Sequence, residues 1–148
     1  MKNIFRAVIV MNVVAYVLWF LFPYTYSYWV SEMGMNILNA SGFESMFVGP
    51  LYIYWVLFFM TLLALVGLLF FNNLSRILFV LIVITNLSLQ SFAGFSVYTG
   101  IESLLLNIVN MADGALLVMM YLTSVSNEFT INRVQYARSV VEKIQERT

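Results

Sequence analysis

The sequence predicts an all-α integral membrane protein: a four-transmembrane-helix bundle with both termini in the cytoplasm and a cytoplasmic C-terminal amphipathic helix. Three observations predict it. Of the 148 residues, 62% are hydrophobic and 9% charged, whereas a soluble domain carries about 25% charged residues. The apolar residues gather into four runs, each close to the ~20 residues that span ~30 Å of hydrocarbon. All seven Lys and Arg residues fall on one side of the path those runs trace.

The first run is Ile4 to Phe22. Lys2 and Arg6 at its start, ahead of the uncharged stretch, resemble the opening of a signal peptide, but bulky aromatics (FPYTYSYW) follow where cleavage needs small residues. It is therefore read as a retained span. The outer loop, 23–50, is long, and its stretch Tyr28 to Phe47 is apolar enough to lie along the membrane surface as one or two short helices broken near Gly42. The second run, 51–71, carries no charge at all. The third, 77–95, follows the short turn Asn72 to Arg76, which makes the second and third spans antiparallel neighbours. The fourth, 104–122, follows the short segment SVYTGIES. Backbone groups inside a bilayer must pair within the segment, so each run is a helix.

Lys2, Arg6, Arg76, Arg133, Arg138, Lys143 and Arg147 lie at the start, between the second and third runs, or after the fourth. The opposite side carries Glu32, Glu44 and Glu102 and no basic residue. The positive-inside rule places both termini in the cytoplasm, implying a bacterial cytoplasmic (inner) membrane protein. Tyr16, Trp19, Tyr24, Tyr26, Tyr28, Trp29, Tyr52, Tyr54, Trp55 and Tyr98 cluster toward the outer interface, where amphipathic rings favour the headgroup layer. The chain thus divides into a transmembrane domain, 1–126, and a tail, 127–148. In the tail Val134, Ala137, Val141 and Ile144 recur at helical spacing, with Arg138, Glu142 and Glu146 opposite. Such a helix either rests on the bilayer or docks a soluble partner through Val134, Arg138, Val141 and Ile144.

Chemistry is narrowly bounded. The chain has no Cys and no His, which removes thiol nucleophiles, the commonest general base and the commonest metal ligands. No paired carboxylates, phosphate-cradling Gly-rich loop or Ser–His pair is present, so neither an enzyme nor a cofactor or metal site is expected. Nucleic acid is disfavoured, because the short basic tail is balanced by Glu128, Glu142 and Glu146. Asp113 alone places a carboxylate in the middle of a span, at a cost of ~2.5–3.5 kcal/mol unless it finds a partner, a proton or water. Asn107, Asn110, Asp113, Gly114 and Tyr121 form one stripe of the fourth helix, facing the bundle or another subunit. Asn12, Thr61, Asn86 and Gln90 sit near the same depth on the other helices. The expectation is a membrane-embedded polar layer of Asn12, Thr61, Asn86, Gln90, Asn107, Asn110 and Asp113. It acts either as interhelical hydrogen-bond glue or as an ion or proton site. Small residues, Thr61, Ala64 and Gly67 on one helix and Ala112, Gly114 and Ala115 on another, permit close helix approach.

In size, span count and lack of catalytic chemistry the layout resembles small multi-span bacterial immunity proteins that neutralise pore-forming toxins. That resemblance implies a non-enzymatic protein binding a macromolecule at the bilayer, with Tyr28, Trp29, Glu32 and Glu44 as the outer binding loop. The layout is also similar in outline to the four-span membrane component of Kiwa-type phage-defence systems, which implies a cytoplasmic effector held by the tail. A third reading is an oligomeric small channel, holin or transporter subunit, with the polar stripe around the axis of a homo-oligomer. The partners expected are therefore the lipid bilayer, a toxin or cytoplasmic effector, and further copies of the chain.

Overall fold

The computed structural model describes residues 1–39, 51–92 and 96–130. Its long helices are α1 (Lys2–Leu21), α4 (Leu51–Leu69), α5 (Asn73–Phe92) and α6 (Gly100–Leu122). Between α1 and α4 lie a 3-10 turn, Phe22–Thr25, and the short helices α2 (Tyr26–Trp29) and α3 (Glu32–Leu38). Four helices are long and apolar enough to cross a membrane. Both short helices lie in the segment 23–50 that the sequence assigns to the outer loop. Its expected break near Gly42, and Glu44 with it, lie outside the described residues.

The bundle is two pairs of antiparallel helices. α1 packs along α6, α4 packs along α5, and α1 joins the pairs by lying on α4; α5 and α6 touch only sparsely. The α4–α5 turn shows why the second pair is tight. At the end of α4, Asn72 N–H donates to Gly67 O at 3.1 Å and Phe71 N–H to Leu68 O at 3.0 Å, the paired bonds of a Schellman cap. The left-handed position of that cap usually takes Gly; here it is Phe71, with φ 53. Its ring is held by Phe5 at 5.7 Å and Phe129 at 5.5 Å between centroids, which offsets a backbone cost of about 1–2 kcal/mol. The turn is so short that α5 begins at Asn73, and Arg76, expected in the turn, lies in its first helical turn.

The two ends of the bundle are packed differently. The end holding the N-terminus is a closed core of Phe5, Ile9, Leu65, Leu68, Phe79, Leu116, Met120 and Phe129. The chain turns at 123–125 and is helical again at 126–130. Val125 and Phe129 are buried there, and Lys2 Nζ meets Glu128 Oε2 at 2.8 Å. Of the described residues past the expected boundary at 126/127, Phe129 belongs to the bundle core. Val134, Arg138, Val141 and Ile144 lie outside the described residues. At the opposite end the core is an aromatic stack between α1 and α4. Phe20 faces Phe58 at 4.0 Å and Trp55 at 4.9 Å, and Tyr16 faces Phe58 at 5.6 Å. Tyr16, Trp19 and Trp55, assigned from sequence to the headgroup layer, are packed into or against this contact.

Candidate functional site: an intramembrane cavity floored by Asp113

The polar groups of the spans meet in a specific arrangement. Asn12 lies about 15 Å along α1 from Lys2, and Asp113 about 14 Å along α6 from Leu122, at 1.5 Å per residue. The helices are antiparallel and tied together at this end, so the two side chains arrive at one depth. Asn12 Nδ2 donates to Asp113 Oδ1 at 2.7 Å. Asn12 is 1% exposed, and its own Oδ1 is buried without a hydrogen-bond partner. One carboxylate oxygen is thus held by an amide, as a charge-assisted bond in a low-dielectric setting.

Thr61 joins a different network. Tyr16 Oη donates to Thr61 Oγ1 at 3.3 Å, and Thr61 Oγ1 donates to Leu57 O at 2.8 Å. Among the described residues these side-chain hydrogen bonds form two separate pairs, Asn12–Asp113 and Tyr16–Thr61. Both pairs border a cavity of about 500 Å³ that occupies the space where α5 and α6 fail to meet. Asp113, Gly114 and Phe79 lie at its closed-core end, and Tyr54, Tyr98 and Gln90 toward the other. Asn86, Gln90 and Asn110 line it. Asn86 is half-buried, and Gln90 and Asn110 are exposed, because the gap opens laterally between the two helices. Asn107 is exposed and is not among the lining residues. Gly67 closes α4 onto α5 as the small-residue pattern predicts: a Cβ there would sit 1.9 Å from Ser75 Oγ. Gly114 does the opposite, with nothing within 4 Å of where its Cβ would be. It widens the cavity rather than drawing helices together.

The aromatic wall of the cavity, Tyr16, Trp19, Phe20 and Tyr54, was not read as a site from sequence. The signal was present on α1, where aromatic side chains at 16, 19 and 20 recur at helical spacing. Interface preference for Tyr and Trp explained them first. Trp19 Nε1 is buried without a hydrogen-bond partner. Among the described residues no Lys or Arg lines the cavity, and no group of three or more His, Cys, Asp or Glu side chains could hold a metal ion.

Beyond the cavity two ends are fixed. Thr99 and Glu102 form a capping box at the start of α6, and Glu102 is only 5% exposed. At the other end the Arg76 guanidinium lies 3.8 Å from the centroid of Tyr121 and 5.4 Å from that of Phe129. Tyr28 and Trp29 are 82% and 80% exposed, and Glu32 is exposed in the first turn of α3. No protein-family model, curated protein or solved structure matches the chain.

Proposed function

We propose that the chain is a non-enzymatic membrane protein that binds a small ligand within the bilayer, the binding subunit of a transport or channel-type assembly. Both termini are cytoplasmic in this reading, on the Lys and Arg distribution, so the cavity occupies the outer half of the bundle. The observation that carries it is the cavity itself: about 500 Å³, bounded by apolar and aromatic side chains, with a few convergent polar groups around Asp113. That is the composition and size of a small-molecule site. Open polar side chains on a lateral face of a span are costly in lipid, and a bound molecule relieves that cost for Asn86, Gln90 and Asn110.

Ligand-induced stabilisation tests this reading. A panel of drug-sized amphiphiles of each charge type is screened by thermal unfolding of the detergent-solubilised protein, alongside Gly114→Trp, whose side chain enters open space and fills the cavity. A compound at one hundred times its Kd stabilises by about 2.7 kcal/mol. Compounds that raise Tm in the wild type and not in Gly114→Trp support the site. A panel in which no compound distinguishes the two proteins overturns it.

A second reading, toxin immunity at the bacterial inner membrane, is favoured by the exposed Tyr28 and Trp29 pair beside Glu32. Large amphipathic rings at such a site are the side chains that dominate protein interfaces. In that case Tyr28→Ala with Trp29→Ala abolishes protection in a susceptible strain, while filling the cavity leaves protection intact.

A further inference from the structure

The ligand class follows from what the cavity offers, given the reading of it as a small-molecule site. Its single ionisable carboxylate, Asp113, is set at the closed end, with Oδ1 engaged by Asn12. The second carboxylate oxygen has no described partner, and Asn12 Oδ1 is a buried acceptor without a donor. The carboxamides of Asn86, Gln90 and Asn110 line the same space, and none of the three is hydrogen-bonded among the described residues. The rest of the wall is aliphatic and aromatic, with Tyr16, Trp19, Phe20 and Tyr54 on one side. Among the described residues no Lys or Arg lines the space beside Asp113.

Each feature excludes a class. An anion meets a carboxylate, carbonyl oxygens and the electron-rich faces of rings, with no cation to pair with. A neutral lipid tail leaves the carboxylate and three carboxamides unsatisfied. A bare metal ion needs a close shell of six or more oxygens, whereas this space is mostly apolar and far larger than an ion. A carboxylate in an aromatic-walled, desolvated pocket suits an organic cation, whose charge pairs with the carboxylate and whose apolar substituents lie on the ring faces.

We infer that the cavity between α5 and α6 binds a lipophilic monovalent organic cation, such as a protonated amine or quaternary ammonium, with Asp113 as counter-ion and the Tyr16–Trp19–Phe20 face as its aromatic wall. Asn12 is the positioning residue: its amide fixes the carboxylate rotamer so that the free oxygen faces the ligand.

Tetraphenylphosphonium and tetraphenylborate, ions of one shape and opposite sign, are the probes. Saturable binding of each is measured by equilibrium dialysis on the full chain in detergent, for the wild type, Asp113→Asn, Asn12→Ala and Gly114→Trp. Asp113→Asn preserves the amide contact to Asn12 and the side-chain size, so it keeps the fold; circular dichroism checks each variant. The expected result is saturable binding of the phosphonium and none of the borate. Affinity falls at least tenfold in Asp113→Asn, several-fold in Asn12→Ala, and is lost in Gly114→Trp. Equal binding of both ions, or phosphonium affinity unchanged in folded Asp113→Asn, overturns the cation assignment while leaving a ligand cavity in place. Binding of either ion that survives in Gly114→Trp, or binding of neither ion to the wild type together with a silent amphiphile panel, overturns the cavity as a site altogether.

Discussion

At the scale of single residues, two glycines with similar sequence surroundings have opposite roles, and the difference is measurable. Gly67 lets α4 lie against the first turn of α5, where Ser75 is buried. A Cβ at 67 would come within 2.7 Å of Ser75 Cβ, an atom fixed to the backbone, so no rotamer change relieves it. Gly67→Ala is expected to destabilise by about 1–3 kcal/mol, the usual range for overpacking. Ser75→Gly should recover most of that loss, which a double-mutant cycle on unfolding in detergent reads directly. Additive effects of the two substitutions would show that the helices are not in contact there. Gly114 has no such neighbour, and substitutions there act on the cavity rather than on packing. Sequence spacing identifies both glycines as small residues on a helix face. It does not say which face meets another helix, because that depends on how far α5 and α6 stand apart. The Asn12–Asp113 pair was legible only as two polar groups at one depth. Their direct bond follows from the register of α1 on α6, set by the contacts among Phe5, Phe71 and Phe129.

At the scale of elements, hydropathy located all four long helices but misplaced their ends wherever a helix begins with polar residues. α5 starts at Asn73 rather than Ile77, and α6 at Gly100 rather than Leu104. In α6 the missing turn carried its own signature, since Thr99 and Glu102 have the spacing of a capping box. Thr99 Oγ1 accepts from Glu102 N–H at 3.3 Å and Glu102 Oε2 accepts from Thr99 N–H at 2.9 Å. An apolar-run count stops at Glu102, although its carboxylate accepts from the Thr99 N–H and the Thr99 hydroxyl. Thr99→Ala is expected to cost about 1 kcal/mol. It should speed amide exchange across residues 101–103 while leaving protection near Asp113 unchanged. Uniform loss of protection along α6 would mean that the cap supports the whole helix rather than its first turn. Arg76 similarly ended the apolar run, yet it lies within α5 because its guanidinium stacks on Tyr121, a desolvated cation–π contact of the kind worth up to ~2 kcal/mol.

At the scale of the whole molecule, composition pointed to a membrane chain, and the four apolar runs, each long enough to pair its backbone within one helix, pointed to the all-α class. The cavity was not legible, since it arises from the unequal pairing of helices: α1 with α6, α4 with α5, and little between α5 and α6. No local pattern in either helix encodes that gap. The burial of Phe129, just past the 126/127 division, was not legible for a related reason, as it becomes a core residue only once α1 and the α4–α5 turn are brought beside it. The proposed reading puts the cavity in the outer half of the bundle, ending at Asp113, and requires its Tyr54–Tyr98 end to be open to the outside as well as between α5 and α6. The chain has no Cys, so a single-cysteine series treated with a small, impermeant, trimethylammonium-bearing thiol reagent added outside intact cells tests it directly. Asn36→Cys on exposed α3 and Gly114→Cys in the cavity should both react. Met111→Cys, 76% exposed on the apolar face of α6, should be shielded by lipid, and Ser124→Cys should be shielded by the membrane as a cytoplasmic site. Labelling at Ser124→Cys with Asn36→Cys inert would reverse the orientation, and Gly114→Cys as unreactive as Met111→Cys would contradict the cavity.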